Sequence, residues 1–236
     1  KKEAPMPPSP PSPPKLSDVV NILASIDSSP PEHNSTLYVN ATEYTTIQAA
    51  VDAAASGDVI VVYPGVYREN VVIVNKTLTL MAYDPNDKPV VIGGGGICFN
   101  VTSLEYNDIS ISGFVMRNCT FGIWIDGVVD VEVSDNVVRE FNVTGISIGL
   151  FDTVYGDVQC NGNVIISAED GVYGIYVYDV YGDVEVNGNT IRLTGSSAYG
   201  IYMDDIYGDV QCNGNDVSTL GSDSYGIYLD DLYNDG

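Results

Sequence analysis

YGDVQCNGN at residues 155–163, YGDVEVNGN at 181–189 and YGDVQCNGN again at 207–215 decide the fold. The copies start 26 residues apart, and Tyr233-Asn234-Asp235 opens another at the same interval. YGIY recurs at Tyr173, Tyr199 and Tyr225, again 26 apart. Val158 and Cys160 correspond to Val184 and Val186, then to Val210 and Cys212. Ile175 and Val177 correspond to Ile201 and Met203, then to Ile227 and Leu229; Ile165, Ile191 and Val217 are likewise equivalent. Apolar residues at every second position mark strands with one buried face. Gly- and Asn-rich corners separate three such strands in each unit. That pattern describes one coil of a parallel β-solenoid. Neighbouring coils then lie about 4.8 Å apart, and like residues stack into columns. A propeller blade needs four strands and roughly 40 residues, and leucine-rich repeats need leucines at offsets where none occur here.

Upstream the repeat weakens. YNDISISGF from Tyr106 and VVDVEVSDN from Val128 are degenerate copies, and FGIW from Phe121 and Thr144-Gly145-Ile146 stand where YGIY would. The earlier coils are therefore expected to be 22 to 27 residues long. TTIQAAVDAAASGD, from Thr45, reads as a helix with Ile47, Ala50, Val51 and Ala54 on one face, a Thr cap before it and Gly57 after it. Residues 4–14, APMPPSPPSPP, are extended and semi-rigid. LSDVVNILASI, from Leu16, is a short amphipathic helix candidate. The predicted organisation is a Pro-rich tether with a short helix over 1–44, then a solenoid of about seven coils over 45–236. Its capping helix spans 45–57, and regular 26-residue coils begin at 155.

The segment TIQAAVDAAASGDVIVVYPGVYRENVVIVNKTLTL resembles the opening of right-handed parallel β-helix proteins of the pectin-lyase-like superfamily. That group includes pectin methylesterases and NosD-like secreted repeat proteins. The close likeness covers about residues 45–83, and the repeat extends it to the end. The resemblance implies an all-β, right-handed parallel β-helix with an N-terminal capping α-helix over its mouth. It implies little about activity, because one fold carries many functions.

Composition narrows the function. With 32 acidic and 9 basic residues the formal net charge is −23, which excludes a nucleic-acid partner. No stretch approaches the roughly 18 apolar residues of a membrane span. His33 is the one histidine, so imidazole-based catalysis and a multi-His metal site are excluded within one chain. Six N-x-S/T sequons, at Asn34, Asn40, Asn75, Asn100, Asn118 and Asn142, point to an extracellular or cell-surface glycoprotein. The chain starts with Lys1-Lys2 rather than Met and reads as a trimmed, secreted product.

The catalytic reading is weak. Pectin methylesterases carry Gln-Asp-Thr-Leu-Tyr, and this chain has Phe151-Asp152-Thr153-Val154-Tyr155. Asp152 keeps the carboxylate, but Phe151 replaces the oxyanion-hole glutamine, and such donors supply the largest catalytic term. No catalytic centre is predicted. The repeated surface carries column chemistry instead. Asp157, Asp183, Asp209 and Asp235 form one acidic column, Asp179, Asp205 and Asp231 a second, and Asp204 with Asp230 a third. Unit charges about 5 Å apart repel by about 1 kcal/mol in water and 3–4 kcal/mol at an effective dielectric near 20. Fanning out, protonation or a bound cation must relieve this. Asp179, Asp183, Asp205, Asp209 and Asp231 offer the hard oxygens that calcium takes. No cofactor is demanded; calcium is the one these columns would accept.

Asn161, Asn187 and Asn213 form one amide ladder; Asn136, Asn163, Asn189 and Asn215 form another. Tyr155, Tyr181, Tyr207 and Tyr233 form an aromatic column, and Tyr176, Tyr202 and Tyr228 an outward one able to meet glycans or a protein neighbour. Cys160 and Cys212 are inward and two coils apart, too far to pair; whether Cys98 and Cys119 pair is open. The expected role is a secreted structural solenoid: a building block of a surface layer, sheath, filament or adhesive stalk. It would form homo-oligomers or polymers through the solenoid ends and the N-terminal segment. A carbohydrate-binding or carbohydrate-active β-helix and a calcium-dependent adhesion module are the alternatives.

Overall fold

The computed structural model describes residues 35–104 and 107–233. The Pro-rich tail, the helix expected within it, Asn34 and Asp235 lie outside those residues. β1 (Thr36–Val39) precedes a short helix, α1 (Ile47–Ala53). Strands then recur in threes. Coil one is β2 (Asp58–Val62), β3 (Val66–Tyr67) and β4 (Val71–Val74); coil two is β5 (Leu78–Ala82), β6 (Val90–Ile92) and β7 (Phe99–Thr102). In coil three β8 (Ile109–Ser112) is followed by one long strand, β9 (Val115–Asp126), which covers two faces. Coil four does the same with β10 (Val131–Ser134) and β11 (Val137–Ile148). Coil five is β12 (Val158–Asn161), β13 (Val164–Ser167) and β14 (Tyr173–Val180). Coil six is β15 (Val184–Glu185), β16 (Thr190–Leu193) and β17 (Tyr199–Ile206). Coil seven is β18 (Val210–Gln211), β19 (Asp216–Thr219) and β20 (Tyr225–Leu229).

Each strand pairs in parallel with its equivalent in the next coil, and the first face runs β1-β2-β5-β8-β10-β12-β15-β18. This is the parallel β-solenoid that the repeat predicts. Val158 pairs with Val184 and Val184 with Val210, which fixes the 26-residue coil. The two earliest coils depart from the expected length. Asp58 pairs with Leu78, 20 residues on, and Leu78 with Ile109, 31 on. Long corners such as 83–89 absorb the difference, since only strand length is fixed by the faces. The stack also starts earlier than residue 45, because β1 pairs with β2 along Thr36–Val39.

The core is a set of aliphatic columns. Val101, Ile125, Ile148, Val177 and Met203 follow one another in register, all buried. Burying each such side chain contributes about 1.5–3 kcal/mol. The glycine of YGIY permits the close approach of coils. A Cβ at Gly174 would lie 2.4 Å from the Gly200 carbonyl oxygen, and one at Gly200 2.3 Å from that of Gly226.

Helix α1 is shorter than the expected 45–57. Thr46 caps it, its hydroxyl accepting from the Ala49 N–H, and Ala54 is already extended. Tertiary groups finish both ends. The Glu69 carboxylate accepts from the Ile47 and Gln48 N–H groups at 2.9 and 3.0 Å. The Lys76 ammonium donates to the Val51 and Ala54 carbonyls at 2.7 and 2.8 Å. An anion at the N-terminus and a cation at the C-terminus both oppose the helix dipole. Ile47, Ala50 and Val51 are buried against the first coils, as a cap requires.

The two amide ladders differ in kind. Asn136, Asn163 and Asn189 are fully buried. Each side-chain oxygen accepts from the previous coil: Asn163 from the Asn136 N–H at 3.0 Å, Asn189 from Asn163 at 2.8 Å, Asn215 from Asn189 at 2.9 Å. Their amide nitrogens donate to the Ile111, Val133, Cys160 and Val186 carbonyls. Asn161 and Asn187 instead accept from the N–H of the following coil, at 2.8 and 2.7 Å. One ladder ties each coil forwards and the other backwards. On the first face Glu132, Gln159, Glu185 and Gln211 succeed one another, so an amide separates each pair of like charges.

Candidate functional site

The outward column expected on the third face is present. Tyr176, Tyr202 and Tyr228 stack with ring centroids 5.0 and 5.3 Å apart. Beside it runs a column not singled out as a surface, Tyr173, Tyr199 and Tyr225, at 5.0 Å intervals. Rings of one column meet those of the other edge-on, as Tyr173 meets Tyr176 at 5.2 Å. This offset and edge geometry suits aromatic quadrupoles, and it leaves Tyr176, Tyr202 and Tyr228 half-buried. The Tyr202 hydroxyl donates to Asp204 at 2.8 Å and the Tyr228 hydroxyl to Asp230 at 3.1 Å. Burial pushes the Tyr176 phenol up to about 12, so it is neutral at ordinary pH.

The five aspartates expected to share a cation divide into two groups. Asp179, Asp205 and Asp231 occupy one corner with left-handed backbone, at φ 51°, 53° and 35°, a conformation that Asp tolerates better than most residues. Carboxylate oxygens of Asp204, Asp205 and Asp231 lie within 4.8 Å of one another. Burial raises the pKa of Asp204 and of Asp179, and the Thr153 hydroxyl donates to Asp179. Asp183 and Asp209 belong to a different ladder from that three-carboxylate group. The Asp183 N–H donates to Asp157 at 2.9 Å and the Asp209 N–H to Asp183 at 2.8 Å. Backbone donors therefore relieve the repulsion in that column, a route the sequence reading omitted.

Asp152, the candidate carboxylate of the esterase-like motif, has its own amide environment: the Thr153 N–H donates to it at 3.0 Å. It lines a hollow of about 210 Å³ with Ser103, Leu104, Gly127 and Tyr155. Nearby is a carboxylate that sequence reasoning missed. Asp126 is only 5% exposed at the end of β9, and burial raises its pKa. It accepts from the Trp124 indole N–H and from the Phe151 N–H. Phe121, Trp124 and Phe151 make a ring series at 5.0 and 5.4 Å, and Phe151 is 76% exposed. Trp124 shares its column with Asn100 and Ser147. Asn100 Oδ1 and Ser147 Oγ are the two buried side-chain atoms without a partner among the described residues. Trp124, the chain's one tryptophan, was the available signal.

The described sequons differ in setting. Asn118 and Asn142 are exposed; Asn40, Asn75 and Asn100 are half-buried. Asn40 Oδ1 accepts from the Thr42 hydroxyl and from the Thr42 and Glu43 N–H groups, each at 2.8 Å. Asn75 Oδ1 accepts from the Leu104 N–H.

Residues 51–235, most of the chain, match the family described as periplasmic copper-binding protein (NosD). This chain belongs to the NosD family. A cell surface glycoprotein of Methanothermus fervidus is 29% identical to this NosD-family chain over 104 residues. That match covers 43% of the chain and 17% of the longer relative. Among solved structures, a point mutant of the PL6 family alginate lyase AlyGC superposes with a TM-score of 0.52 at 11% identity. It covers 88% of this chain and 39% of the lyase. A pectin methylesterase from Aspergillus niger superposes with a TM-score of 0.41 at 16% identity, covering 89% of this chain and 88% of that one. The solenoid is thus shared with the alginate lyase as a fold. For the copper of the family description, no cluster of three metal-ligating groups among the described residues contains a cysteine or histidine. Their one cluster of three metal-ligating groups is all carboxylate, whereas copper favours thiolate, thioether and imidazole. Met116 and Met203 are buried in the core, Met81 is exposed, and His33 lies outside the described residues.

Proposed function

We propose that this NosD-family solenoid is a glycosylated, non-catalytic structural protein of the cell surface, a unit of a layer, sheath, filament or adhesive stalk. The extracellular or cell-surface location expected from the sequons agrees with the family's periplasmic description and with the named relative. The observation that carries the structural role is the repetition of surface groups. Tyr173 and Tyr176 reappear at Tyr199 and Tyr202 and at Tyr225 and Tyr228, in register. A repeated surface supports contact along its length, whereas a reaction centre needs one constellation of unlike groups. Assembly through coil ends is part of the proposal. Ile227 and Leu229 of coil seven are 46% and 44% exposed, at columns buried in coil six. A further coil, from the same chain or another copy, would cover them. Electron microscopy of native surface material labelled for this chain tests the role. An ordered layer or filament supports it; dispersed subunits, with pectin or alginate processing abolished by Asp152→Asn, would overturn it.

A second reading, a glycan-binding β-helix, is favoured by the exposed Phe151 beside Trp124 and the two carboxylates Asp126 and Asp152. Calorimetry with polyuronate and neutral oligosaccharides, on the native chain and on Phe151→Ala, tests it; no heat above dilution would remove it. The third reading, calcium-dependent adhesion, is supported by the convergence of Asp204, Asp205 and Asp231. A melting midpoint unmoved by millimolar calcium or by chelator would remove that one.

A further inference from the structure

The four cysteines are not equivalent. Cys160 and Cys212 hold matching inward positions with Val186 between them, about 10 Å apart at the strand spacing. Cys98 and Cys119 lie on adjacent coils. Cys98 immediately precedes β7, Cys119 lies in β9, and the Cys98 N–H donates to the Phe121 carbonyl at 3.1 Å, so the two chain segments run side by side. Both residues are buried, at 0% and 3% exposure. Gly93 supplies the room they need: a Cβ there would lie 3.1 Å from Cys98 Sγ and 3.1 Å from Cys119 Cβ. The two side chains converge on one point, and a hydrogen bond joins the two thiols.

We infer that Cys98 and Cys119 form a disulfide that fastens coil two to coil three. The location adds to its value. The bridge sits beside the corner of Gly94 and Gly95, which have φ of 60° and 87° and no contact within 4 Å of a would-be Cβ. Polar contacts hold that corner, the Thr120 hydroxyl donating to the Gly95 carbonyl at 2.6 Å and the Asn70 amide to the Gly93 carbonyl at 3.0 Å, and a covalent link adds to them.

The chemistry is thiol–disulfide exchange with a small-molecule disulfide such as glutathione disulfide. One cysteine thiolate attacks a glutathione sulfur, breaks its S–S bond and releases one glutathione thiolate. The second cysteine thiolate attacks the mixed disulfide, forms the Cys98–Cys119 bond and releases the second. Two cysteine thiols are oxidised, one glutathione disulfide is reduced, and the two protons lost by the cysteines protonate the leaving thiolates. The thiol–thiol hydrogen bond lowers the pKa of Cys98 and raises that of Cys119, which makes Cys98 the first nucleophile.

The test uses the full chain, reduced, then refolded in a mixture of glutathione and glutathione disulfide. After unfolding and alkylation, the mass should report two modified thiols, and peptide mapping should link Cys98 to Cys119 and leave Cys160 and Cys212 alkylated. Four alkylated thiols, or a link through Cys160 or Cys212, would overturn the inference. The Cys98→Ser/Cys119→Ser variant, made separately, should match the reduced protein and melt roughly 5–10 °C below the oxidised one. An equal midpoint for the oxidised and reduced proteins would show that no bridge joins these coils in the folded state.

Discussion

Replacing Asn163 by Ala should destabilise the stack far more than replacing Asn161 by Ala, two positions away. Asn163 is fully buried. Its oxygen is the acceptor for the Asn136 N–H at 3.0 Å, and its amide donates to the Val133 carbonyl at 2.9 Å and to Asn189 at 3.1 Å. Truncation strands the Asn136 N–H in a dry interior, which costs about 1–3 kcal/mol. The lost bond to Val133 adds about 1 kcal/mol, giving about 2–4 kcal/mol together. Asn161 makes the mirror-image contact, accepting from the Asn187 N–H at 2.8 Å, but at the half-exposed surface. Water replaces that acceptor, so the loss there should stay below about 1 kcal/mol. Urea denaturation of both variants gives the global difference. Native-state hydrogen exchange at the Asn136 amide gives the local one, which matters because solenoids open coil by coil. Equal losses for the two variants, or unchanged protection at Asn136, would refute the claim that the inner ladder holds the coils.

Acidity should stabilise this protein. Burial raises the pKa of Asp126, Asp179 and Asp204 above the ordinary value of 3.8, so the folded state binds more protons than the unfolded one between that value and the raised ones. Their contribution is fullest below the unfolded pKa and is lost as pH rises through the folded pKa. Melting midpoints should therefore fall as the pH rises from about 4 towards neutrality in constant salt, and a midpoint that climbs over that range would contradict this. Gly200→Val should cost about 3 kcal/mol or more, because a Cβ would stand 2.3 Å from the Gly226 carbonyl oxygen and 2.4 Å from the Val217 side chain; a wild-type urea midpoint would refute it. Lys76→Met should free the Val51 and Ala54 carbonyls and fray α1, lowering stability by about 1–2 kcal/mol. Faster exchange confined to residues 50–54 is the expected signature, and unchanged exchange would remove Lys76 from the cap.

Much of the architecture was legible because the last three coils repeat almost letter for letter. Tyr155, Tyr181 and Tyr207 stack at 6.1 and 4.6 Å, as identical residues in identical coils must. The early coils were harder to read. Their cores accept any apolar residue of fitting size, so Leu80, Ile111 and Val133 share a column without sharing a motif. Corner lengths of 83–89 carry no periodic signal at all. The candidate site was half legible. Columns followed from the period, but which side of a ladder faces water did not, and Asn161 and Asn163 read alike in sequence. Asp126 and Cys98 were opaque for another reason: what they do depends on Phe151 and Cys119, which arrive from other coils.

Register is the claim on which the columns, the ladders and the coil-to-coil contacts rest, and paired cysteines test it directly. Arg192 and Ser218 are register partners on the second face, as are Ile166 and Arg192. In the Arg192→Cys/Ser218→Cys variant, mild oxidation and peptide mapping should find those two sulfurs joined in the folded chain. Ile166→Cys/Ser218→Cys, two coils apart at about 10 Å, should stay unlinked. Linkage in the second variant and not in the first would contradict the register itself.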